Sequence, residues 1–399
     1  MQSEFRNYQN NVISHSSSLA SIDPTQRAWI ELSGDAIRYN VRQIKSILKP
    51  NCKFMAVVKA DGYGHDAVFV SENAIRGGAN QLGVATLQEG IQLRSSGIKA
   101  PILILGNIYS KKDLLICFKN NLVPTISDMK DCILCDEIGL KYKKQFPLHL
   151  KIDTGMSRLG FDTNYFLKNF RKIMNLQNIY VDGIYSHLAF ADEDNALDKK
   201  SFTQIQKNKF IKVLNKINIK KYPQITKHLS NSAGTLLSQD LHFDMVRIGL
   251  LMYGYSPLSP FLNNIKLKPA LFLKSKVSFI KHIDKNIGVS YGRRFISNKK
   301  TKIAVISIGY ADGISRKLSN KLNLLHNGIY YPQIGSITMD QLMIDITNSK
   351  NINVGDTVLL LGSDGNKSIT PIDWADKSST IPWEILCAFK NRLPRVEIY

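Results

Sequence analysis

One lysine follows an apolar run and precedes a turn rich in glycine, a combination that suits covalent chemistry. Residues 54–58 read Phe-Met-Ala-Val-Val, Lys59 comes next, and Ala-Asp-Gly-Tyr-Gly-His follows. The apolar run predicts a strand buried on both faces, as in a parallel sheet. Lys59 would stand at its carboxyl end, where barrel enzymes carry their catalytic groups. An amine whose pKa is lowered by burial can attack an aldehyde and form a Schiff base. The simpler alternative is a lysine whose ammonium reaches water at the strand end.

Other polar side chains follow predicted strands in the same way. They lie in Lys151-Ile-Asp-Thr-Gly-Met-Ser-Arg158-Leu-Gly160, Ser186-His187, His228-Leu-Ser-Asn231-Ser232 and Arg247-Ile-Gly249. Because the carboxyl ends of barrel strands share one face, these groups should converge there with Lys59. Each one alone would fit a helix cap or a buried histidine, but together they predict a site. Ser232 before a helix and the backbone N–H of Gly249 would suit a phosphate group.

The elements that must position these residues are short apolar runs alternating with helical patterns. After the run that precedes Lys59 come 82–86, 101–105, 123–127, 148–153, 181–186, 226–230 and 245–249, with helices between them, for example over 87–96 and 165–175. Eight strand-then-helix units predict an α/β fold with a closed (β/α)8 barrel of the TIM type. An open doubly wound sheet is an alternative, but it would be expected to carry G-x-G-x-x-G after its first strand, and this pattern is absent.

Beyond residues 257–269 the helical periodicity disappears and strand-like runs dominate. They are 271–283, 302–309, 329–337, 342–346 and 357–361, with turn signals at Asn327-Gly328, Gly355-Asp356 and Asp364-Gly365. This pattern predicts a second, mostly antiparallel β domain. We therefore predict a mobile tail over 1–26, a barrel domain over 27–262 and a β domain over 263–399. The barrel domain would open with an alternating strand at 27–32 and a helix capped by Ser33.

Composition narrows the class of function. The excess of 53 basic over 32 acidic residues raises nucleic-acid binding as a hypothesis, but the lysine pairs are scattered and form no aromatic-interleaved stripe. Cys132-Ile-Leu-Cys135 is a lone C-x-x-C with no second pair at metal spacing, so we predict reduced thiols and no metal site. No apolar run approaches the ~18 residues of a membrane span, and the N-terminus lacks the pattern of a secretion signal. We expect a cytoplasmic protein that binds neither nucleic acid nor a membrane.

The segment Ala56-Val-Val-Lys59-Ala-Asp-Gly-Tyr63-Gly-His65 resembles the pyridoxal-phosphate attachment signature of alanine racemases. Further blocks carry the resemblance in order from Arg27 to Tyr399: 151–160, His187, Asn231-Ser232, Arg247-Ile-Gly249, 289–292, 308–313, 339–341 and 393–395. The resemblance implies a barrel followed by a β domain, with pyridoxal 5'-phosphate as cofactor. It also implies interconversion of L- and D-alanine, which supplies D-alanine for peptidoglycan. The family forms a head-to-tail homodimer in which the β domain of one subunit completes the active site of the other.

The resemblance further implies a role for each matching residue. Lys59 and Tyr291 would be the catalytic bases, and Lys59 would also bind the cofactor covalently. The other cofactor contacts would be Tyr63, His187, Asn231, Ser232, Arg247, Gly249 and Leu250. The substrate would contact Arg158, Tyr291 and Met339, with Tyr291 and Met339 coming from the partner subunit, and Lys151, Tyr310 and Asp340 would support the site.

The chemistry of racemisation agrees with these roles. Inverting a chiral carbon requires one proton to leave one face of a planar intermediate and another to arrive on the opposite face. Two bases on opposite faces, each with a pKa near the operating pH, do this directly. Arg247 beside the pyridine nitrogen would not protonate it, which disfavours transamination and decarboxylation relative to racemisation.

Two positions depart from the family pattern. Asn391 stands where many members carry a tyrosine that contacts the phosphate, and Ser336 replaces an arginine of the substrate corridor. Arg316, His228 and Asp192 match other corridor residues. These changes concern affinity and substrate entry more than chemistry.

Three points stay open at the level of sequence. Lys151 matches a lysine that is often carbamylated in the family, and an unmodified lysine is the alternative. A racemase of broader amino-acid specificity would differ from an alanine racemase only in the width of its pocket. A non-catalytic pyridoxal-phosphate-binding barrel is the rival of another class, but such proteins lack a β domain.

Overall fold

The computed structural model describes residues 25–108, 110–193, 195–258, 265–349, 351–389 and 391–398. These residues form two compact units. The first unit contains residues 36–62 and 67–268, and the second contains residues 25–35, 63–66 and the chain from Pro269 onward. Almost all of the predicted tail over 1–26 lies outside the described residues.

The first unit is a closed barrel of eight parallel strands. The chain's first strand, β1 (Ala28–Ser33), lies outside this barrel. The barrel strands are β2 (Lys53–Val57), β3 (Gln81–Val84), β4 (Ile102–Ile104), β5 (Val123–Ile126), β6 (Phe146–Lys151), β7 (Ile179–Tyr185), β8 (Thr226–His228) and β9 (Met245–Ile248). Since β9 pairs in parallel with β2, the ring is closed and an open doubly wound sheet is excluded.

Helices connect most of these strands. In order they are α1 (Gly34–Ser46), α2 (Ala67–Gly77), α3 (Leu87–Ser95), α4 (Lys111–Lys119), α5 (Met129–Tyr142), α6 (Thr163–Met174), α7 (Phe202–Lys216) and α8 (Ser232–Leu237). Side-chain caps explain where several begin: Thr86 and Glu89 form a capping box on α3, and Ser110 caps α4. Within the described ranges, none of the helices is both long and apolar enough to cross a membrane.

The barrel interior combines apolar and polar side chains. One cluster of buried residues consists of Met55, Leu103, Val123, Tyr185 and Met245, contributed by five different strands. His149, His228 and Arg247 are also buried. Because a buried polar or charged side chain costs free energy unless it is hydrogen-bonded, these three residues distinguish a polar region from an ordinary core.

The second unit is built on a nine-stranded, mostly antiparallel sheet. Besides β1, its strands are β10 (Leu271–Ile283), β13 (Thr301–Ile306), β14 (Asn323–His326), β15 (Ile329–Ile334), β16 (Leu342–Asp345), β17 (Thr357–Asp364), β18 (Lys367–Ile369) and β19 (Arg395–Ile398). The order is β18-β17-β14-β15-β16-β13-β10-β1-β19, and β17 also pairs with β10. A separate ribbon joins β11 (Gly288–Val289) and β12 (Phe295–Ile296).

The predicted fold class, a (β/α)8 barrel followed by a mostly antiparallel β domain, is confirmed. Each of the eight predicted barrel runs overlaps an observed strand. The strand at 27–32 behaves differently from the prediction, which grouped it with the barrel as an alternating strand. β1 pairs with β10 on one side and with β19 on the other, and five of its six side chains are buried. Its partners come from the far end of the chain, so local sequence carries no signal for them.

Two helices lie in the second unit, where the sequence analysis predicts mainly strands. They are α9 (Pro371–Ser378) and α10 (Pro382–Cys387), and each begins with proline at its first or second position. Thr370 and Asp373 form a capping box on α9. Helices of about two turns are too short to show a clear apolar stripe, but proline and the capping pair are start signals that the sequence does contain.

Candidate active site

Lys59 follows β2 and opens a left-handed turn of the backbone. Ala60, Asp61, Gly62 and Tyr63 have φ values of 53°, 53°, 60° and 53°. A left-handed conformation costs about 1–2 kcal/mol per residue for residues other than glycine. Such a turn persists only where its surroundings hold it, and strain of this kind is concentrated at functional sites. The turn redirects the chain directly after the lysine.

Hydrogen bonds to backbone N–H groups hold this turn. Glu89, which the sequence reasoning did not single out, accepts from Ala60 N at 2.7 Å through Oε1. Its Oε2 accepts from Ala85 N at 2.7 Å and from Thr86 N at 3.1 Å. The spacing of Thr86 and Glu89 signals a capping box, but only the packing of neighbouring barrel units brings Glu89 to the turn after Lys59. Asp61 Oδ1 adds a bond from Ala67 N at 2.9 Å.

Arg247 on β9 is only 3% exposed, and its guanidinium is surrounded by acceptors. NH1 donates to His228 Nδ1 at 2.9 Å, and NH2 lies 3.0 Å from His187 Nδ1. NH2 also donates to the backbone oxygens of Ser186 at 2.8 Å and Leu229 at 2.9 Å. Burial lowers the pKa of Arg247 to about 10. In the described part of the chain these partners are all neutral groups, so the charge is buried without a carboxylate beside it.

Lys151 ends β6 and adds a second buried cation. It is 4% exposed, and its Nζ lies 5.5 Å from the centre of the Tyr185 ring. Burial, followed by the charges of Arg247 and Arg158, lowers the pKa of Lys151 to about 8. Burial and the charges of Arg247, Lys151, Arg158 and Lys59 hold the pKa of His187 well below its usual value. The predicted residues of the barrel mouth therefore act on one another electrostatically.

Arg158 lies on a loop that folds back on β6. Phe161 N donates to Lys151 O at 2.8 Å, and Asp153 N donates to Phe161 O at 3.0 Å. Gly160, with a φ of 129°, permits this close approach, since a Cβ there would lie 2.6 Å from Asp153 N. The Arg158 side chain is exposed. The loop thus presents Arg158 to solvent while its charge still reaches Lys151 and His187.

Four of the predicted cofactor contacts, Asn231, Ser232, Gly249 and Leu250, lie at the ends of β8 and β9. Asn231 caps α8, and its Oδ1 accepts from Gly234 N at 2.9 Å. Ser232 Oγ accepts from Gly249 N at 3.0 Å, which joins the two strand ends. Leu250 begins a 3-10 turn, Leu250–Tyr253, and the first N–H groups of such a turn have no partner within it.

This set of donors fits an anionic cofactor with a reactive carbonyl. Lys59, Lys151, Arg158 and Arg247 place positive charges close enough to lower the pKa values of their neighbours. A phosphate dianion or a carboxylate in such a field is attracted from solvent and relieves the repulsion among the cations. Pyridoxal 5'-phosphate, which the sequence resemblance implies, offers the phosphate together with an aldehyde for Lys59.

In the second unit, four predicted site residues line one cavity of about 930 Å³. They are Tyr291, Tyr310, Met339 and Asp340. Tyr291 is 70% exposed and Met339 is 53% exposed, which is unusual for large apolar side chains. Asp340 Oδ1 accepts from Arg392 NH2 at 2.7 Å. The cavity wall combines apolar residues such as Ile283 and Met343 with polar ones such as Lys281 and Gln341.

The backbone of Tyr291 is held by two serines. Ser336 Oγ donates to Tyr291 O at 2.7 Å, and Ser290 Oγ donates to Ser336 O at 2.8 Å. Ser290 has φ 64° and ψ −173°, a region that is essentially restricted to glycine. Ser336 is completely buried. It therefore fixes the segment that carries Tyr291.

A buried carboxylate that the sequence reasoning missed anchors the turn at Tyr310. Asp312 is fully buried and forms an ion pair with Arg27 at 2.6 Å. Its Oδ2 also accepts from Gly309 N at 3.0 Å. Arg392 Nε approaches Asp312 at 3.6 Å. The motif Gly309-Tyr310-Ala-Asp312 was visible in the sequence, but the two arginines that neutralise Asp312 come from distant segments.

The remaining predicted positions are dispersed. Tyr63 is buried in the short segment that clusters with the second unit. Asp192, Arg316 and Asn391 are exposed. His228 was matched to the substrate corridor, but it is completely buried and hydrogen-bonded to Arg247, so it belongs to the barrel interior.

The thiols of the C-x-x-C pair are buried in α5, and Cys132 and Cys135 are free. Burial raises the pKa of both thiols. A search of the described ranges finds no group of three or more histidine, cysteine, aspartate or glutamate side chains that could hold a metal ion.

Comparison with known families gives matches to both units. The family model described as "Alanine racemase, N-terminal domain" matches residues 32–257, and "Alanine racemase, C-terminal domain" matches residues 270–397. The alanine racemase of Prochlorococcus marinus is 51% identical over 380 residues, which cover 95% of this chain and 98% of that protein. The alanine racemase of Nostoc sp. is 42% identical, with 94% and 96% of the two chains covered.

Solved structures of lower sequence identity share the fold over nearly the whole chain. The alanine racemase of Clostridium difficile superposes with a TM-score of 0.86 at 34% identity, covering 94% of this chain and 96% of that chain. The Bacillus anthracis alanine racemase with bound L-Ala-P gives 0.83 at 35% identity, with 95% and 96% covered. The Bartonella henselae alanine racemase with covalently bound pyridoxal phosphate gives 0.82 at 29% identity, with 94% and 100% covered.

Proposed function

The chain belongs to the alanine racemase family, and from this premise we propose that it interconverts L- and D-alanine with Lys59 and Tyr291 as its two bases and pyridoxal 5'-phosphate as its cofactor. The family makes the protein an isomerase, an alanine racemase in activity. The rival reading as a non-catalytic pyridoxal-phosphate-binding barrel is wrong, because residues 270–397 match the C-terminal domain of the racemases.

The observation that carries the cofactor proposal is the concentration of positive charge at the carboxyl ends of the barrel strands. Lys151 and Arg247 are buried there, and the charges of Arg158 and Lys59 act on the same neighbours. A relative of known structure, from Bartonella henselae, carries covalently bound pyridoxal phosphate. When bound, this cofactor supplies an aldehyde that captures the substrate amine and a ring that withdraws electrons from its Cα–H bond.

Different residues of the barrel would bind different parts of the cofactor and the substrate. Lys59 would hold the cofactor covalently, and Tyr63, Ser232, Gly249 and Leu250 would hold its phosphate. Asn231 would contact the cofactor from the cap of α8. Arg247 would contact the pyridine nitrogen, with His187 beside it and bonded to the same guanidinium. Arg158 would bind the carboxylate of the amino acid, since a guanidinium matches a carboxylate in geometry as well as in charge.

Two residues would move protons. The neutral amine of Lys59 would take the α-proton from D-alanine, and the phenol of Tyr291 would deliver a proton to the opposite face to give L-alanine. In the reverse direction, the phenolate of Tyr291 would take the α-proton from L-alanine and the ammonium of Lys59 would deliver one. Ser336 and Ser290 would assist by fixing the backbone from which Tyr291 projects. Lys151, Tyr310 and Asp340 would support the site without touching the proton that moves.

We also propose that the active protein is a homodimer, in which Tyr291 and Met339 of each subunit serve the barrel of the other. Both side chains are exposed, and both line a cavity whose wall is partly polar and partly apolar. Exposed apolar surface of this kind is a common feature of interaction sites. The D-alanine product would enter peptidoglycan synthesis in the cytoplasm.

The first test is chiral amino-acid analysis after incubation of the purified protein with L-alanine and pyridoxal phosphate. We expect D-alanine from the wild type and almost none from Lys59→Ala or Tyr291→Phe. Serine and larger amino acids tested in parallel decide between a dedicated and a broader racemase. Normal activity in either variant would refute the role of that residue as a base.

A mixture of the two inactive variants tests the shared site. If Lys59 and Tyr291 come from different subunits, a heterodimer of Lys59→Ala with Tyr291→Phe contains one intact site. Random exchange of subunits should then restore about one quarter of the wild-type activity, since half of the dimers are mixed and half of their sites are intact. A mixture that stays inactive after demonstrated subunit exchange would place both bases in one chain.

A further inference from the structure

A chain of hydrogen bonds crosses the barrel interior from Arg247 to a carboxylate that reaches solvent. Arg247 NH1 donates to His228 Nδ1 at 2.9 Å, and His228 Nε2 lies 2.9 Å from His149 Nδ1. His149 Nε2 lies 3.3 Å from Asp182 Oδ2. The histidines are completely buried, whereas the Asp182 side chain is 37% exposed. Neither His149 nor Asp182 has a role in the function proposed above.

The donors and acceptors allow only one direction for this chain. A guanidinium only donates, so His228 Nδ1 must accept and the proton of a neutral His228 must lie on Nε2. That proton points at His149 Nδ1, which must accept in turn. His149 therefore carries its proton on Nε2 and donates it to Asp182. Burial and the nearby charge of Arg247 hold the pKa of His228 well below its usual value, in agreement with a neutral ring.

An irregularity in the pairing of β6 and β7 brings Asp182 into contact with His149. In the pairing of β6 with β7, Leu148 lies opposite Val181 and His149 lies opposite Gly183, so Asp182 is an extra residue in a bulge. Bulges of this kind redirect a side chain and are frequent beside active sites. Gly183 makes room for the imidazole, because a Cβ there would lie 2.5 Å from Nδ1 and Cε1 of His149. The hydrogen bond from His149 is also the first cause of the lowered pKa of Asp182.

We propose that Asp182 and His149 are positioning residues, which fix the tautomer of His228 and thereby hold the guanidinium of Arg247 in place. This inference rests on the role of Arg247 in the proposed function. The acceptor at position 182 selects the Nε2–H form of His149, and that form in turn leaves His149 Nδ1 free to accept from His228. With no acceptor at 182, His149 can carry its proton on Nδ1, facing the proton of His228. One of the two hydrogen bonds is then lost, and Arg247 loses a fixed partner.

The test compares Asp182→Ala with Asp182→Asn in the holoenzyme. Alanine removes the acceptor, whereas the amide oxygen of asparagine can still accept from His149 Nε2. We expect kcat for alanine to fall about tenfold in Asp182→Ala, as is typical when an outer hydrogen-bond partner of a functional group is removed, with KM within about twofold. Asp182→Asn should recover most of the loss. Asp240→Ala is the matched control, since Asp240 is an exposed carboxylate that pairs with Lys207.

Histidine ¹⁵N NMR provides the readout that does not depend on activity. In the wild type we expect both His149 and His228 as neutral Nε2–H tautomers, and in Asp182→Ala we expect their ¹⁵N shifts to move toward a mixture. Gly183→Ala should produce the same change with Asp182 intact, because the added methyl group displaces the imidazole of His149. Melting temperatures confirm that each variant is folded.

Several results would overturn the inference. They are an Nδ1–H tautomer of His228 in the wild type, an Asp182→Ala variant with wild-type kcat and shifts, or an Asp182→Asn variant no better than Asp182→Ala. An inactive wild type would instead refute the proposed function, which keeps the two failures apart.

Discussion

Replacing Glu89 with glutamine should loosen the left-handed turn that follows Lys59. The carboxylate accepts three backbone N–H groups, from Ala60, Ala85 and Thr86. Glutamine offers one oxygen in place of two. If this oxygen keeps the bonds to Ala85 and Thr86, the NH₂ group faces the N–H of Ala60, and a 2.7 Å hydrogen bond is replaced by two opposed donors.

The magnitude follows from the kind of bond and from its exposure. A hydrogen bond to a charged acceptor contributes about 1.5–3 kcal/mol, and more is lost when the donor is left buried. Ala60 is exposed, so water replaces part of the lost bond. We therefore expect the free energy that holds the turn closed to fall by about 1.4 kcal/mol, which corresponds to about tenfold more frequent opening.

Hydrogen–deuterium exchange with mass spectrometry measures this opening. Peptides covering 59–66 should exchange about tenfold faster in Glu89→Gln than in the wild type, whereas peptides from α6 should not change. Glu72→Gln is the matched control, because Glu72 lies on α2 and forms an exposed pair with Arg76 at 3.7 Å. Unchanged exchange over 59–66 in Glu89→Gln would refute the idea that Glu89 holds the turn, and so would an equal change in the control.

Three further predictions concern other parts of the site. The pKa of Lys151 is about 8 in the folded protein against 10.5 for an ordinary lysine, so the unfolded chain binds more protons between these values. The contribution of Lys151 should therefore make the free energy of unfolding rise as the pH increases from about 8 to 10.5. In Lys151→Met the melting temperature should change less with pH over this window than it does in the wild type. Equal slopes of melting temperature against pH in the two proteins would contradict the burial argument. Ser336→Ala should lower kcat about fivefold through the loss of one hydrogen bond to Tyr291, while a spectroscopic titration shows unchanged cofactor affinity; wild-type kcat would show that the bond is dispensable. Arg247→Glu should raise transamination relative to racemisation, measured as pyruvate formed per D-alanine, and unchanged partitioning would refute the role of Arg247 at the cofactor.

The sequence predicts the barrel well because its signal is local. Each strand-then-helix unit is about 30 residues long, and an apolar run followed by a polar residue marks each strand end without reference to distant segments. The same rule brings Lys151, Ser232 and Arg247 to one end of the barrel. For these residues, the local sequence was enough to predict that they lie at the carboxyl ends of barrel strands.

The parts that escaped prediction depend on contacts between distant segments. The carboxylate of Asp312 is neutralised by Arg27, and the sequence around neither residue indicates that the two form an ion pair. In the sequence, His149 looks like an ordinary residue of a buried strand. Its two partners, His228 on another barrel strand and Asp182 in the bulge of β7, become evident only in the structure. Glu89 shows a further limit of prediction from sequence. The spacing of Thr86 and Glu89 indicates its capping role, but its hydrogen bond to the turn after Lys59 depends on the packing of adjacent barrel units.

The pairing of β1 has a consequence for synthesis on the ribosome. Ala28 pairs with Ser275 and Ile30 pairs with Arg395, so the partners of this early strand are translated 247 and 365 residues after it. The barrel units, whose neighbours are close in sequence, can assemble while translation continues. During that interval the apolar side chains of β1, Trp29 on one face and Ile30 and Leu32 on the other, are without their native contacts. A nascent chain with such an unpaired strand is expected to bind chaperones, and a premature stop codon just before β19 would leave one edge of β1 without its parallel partner.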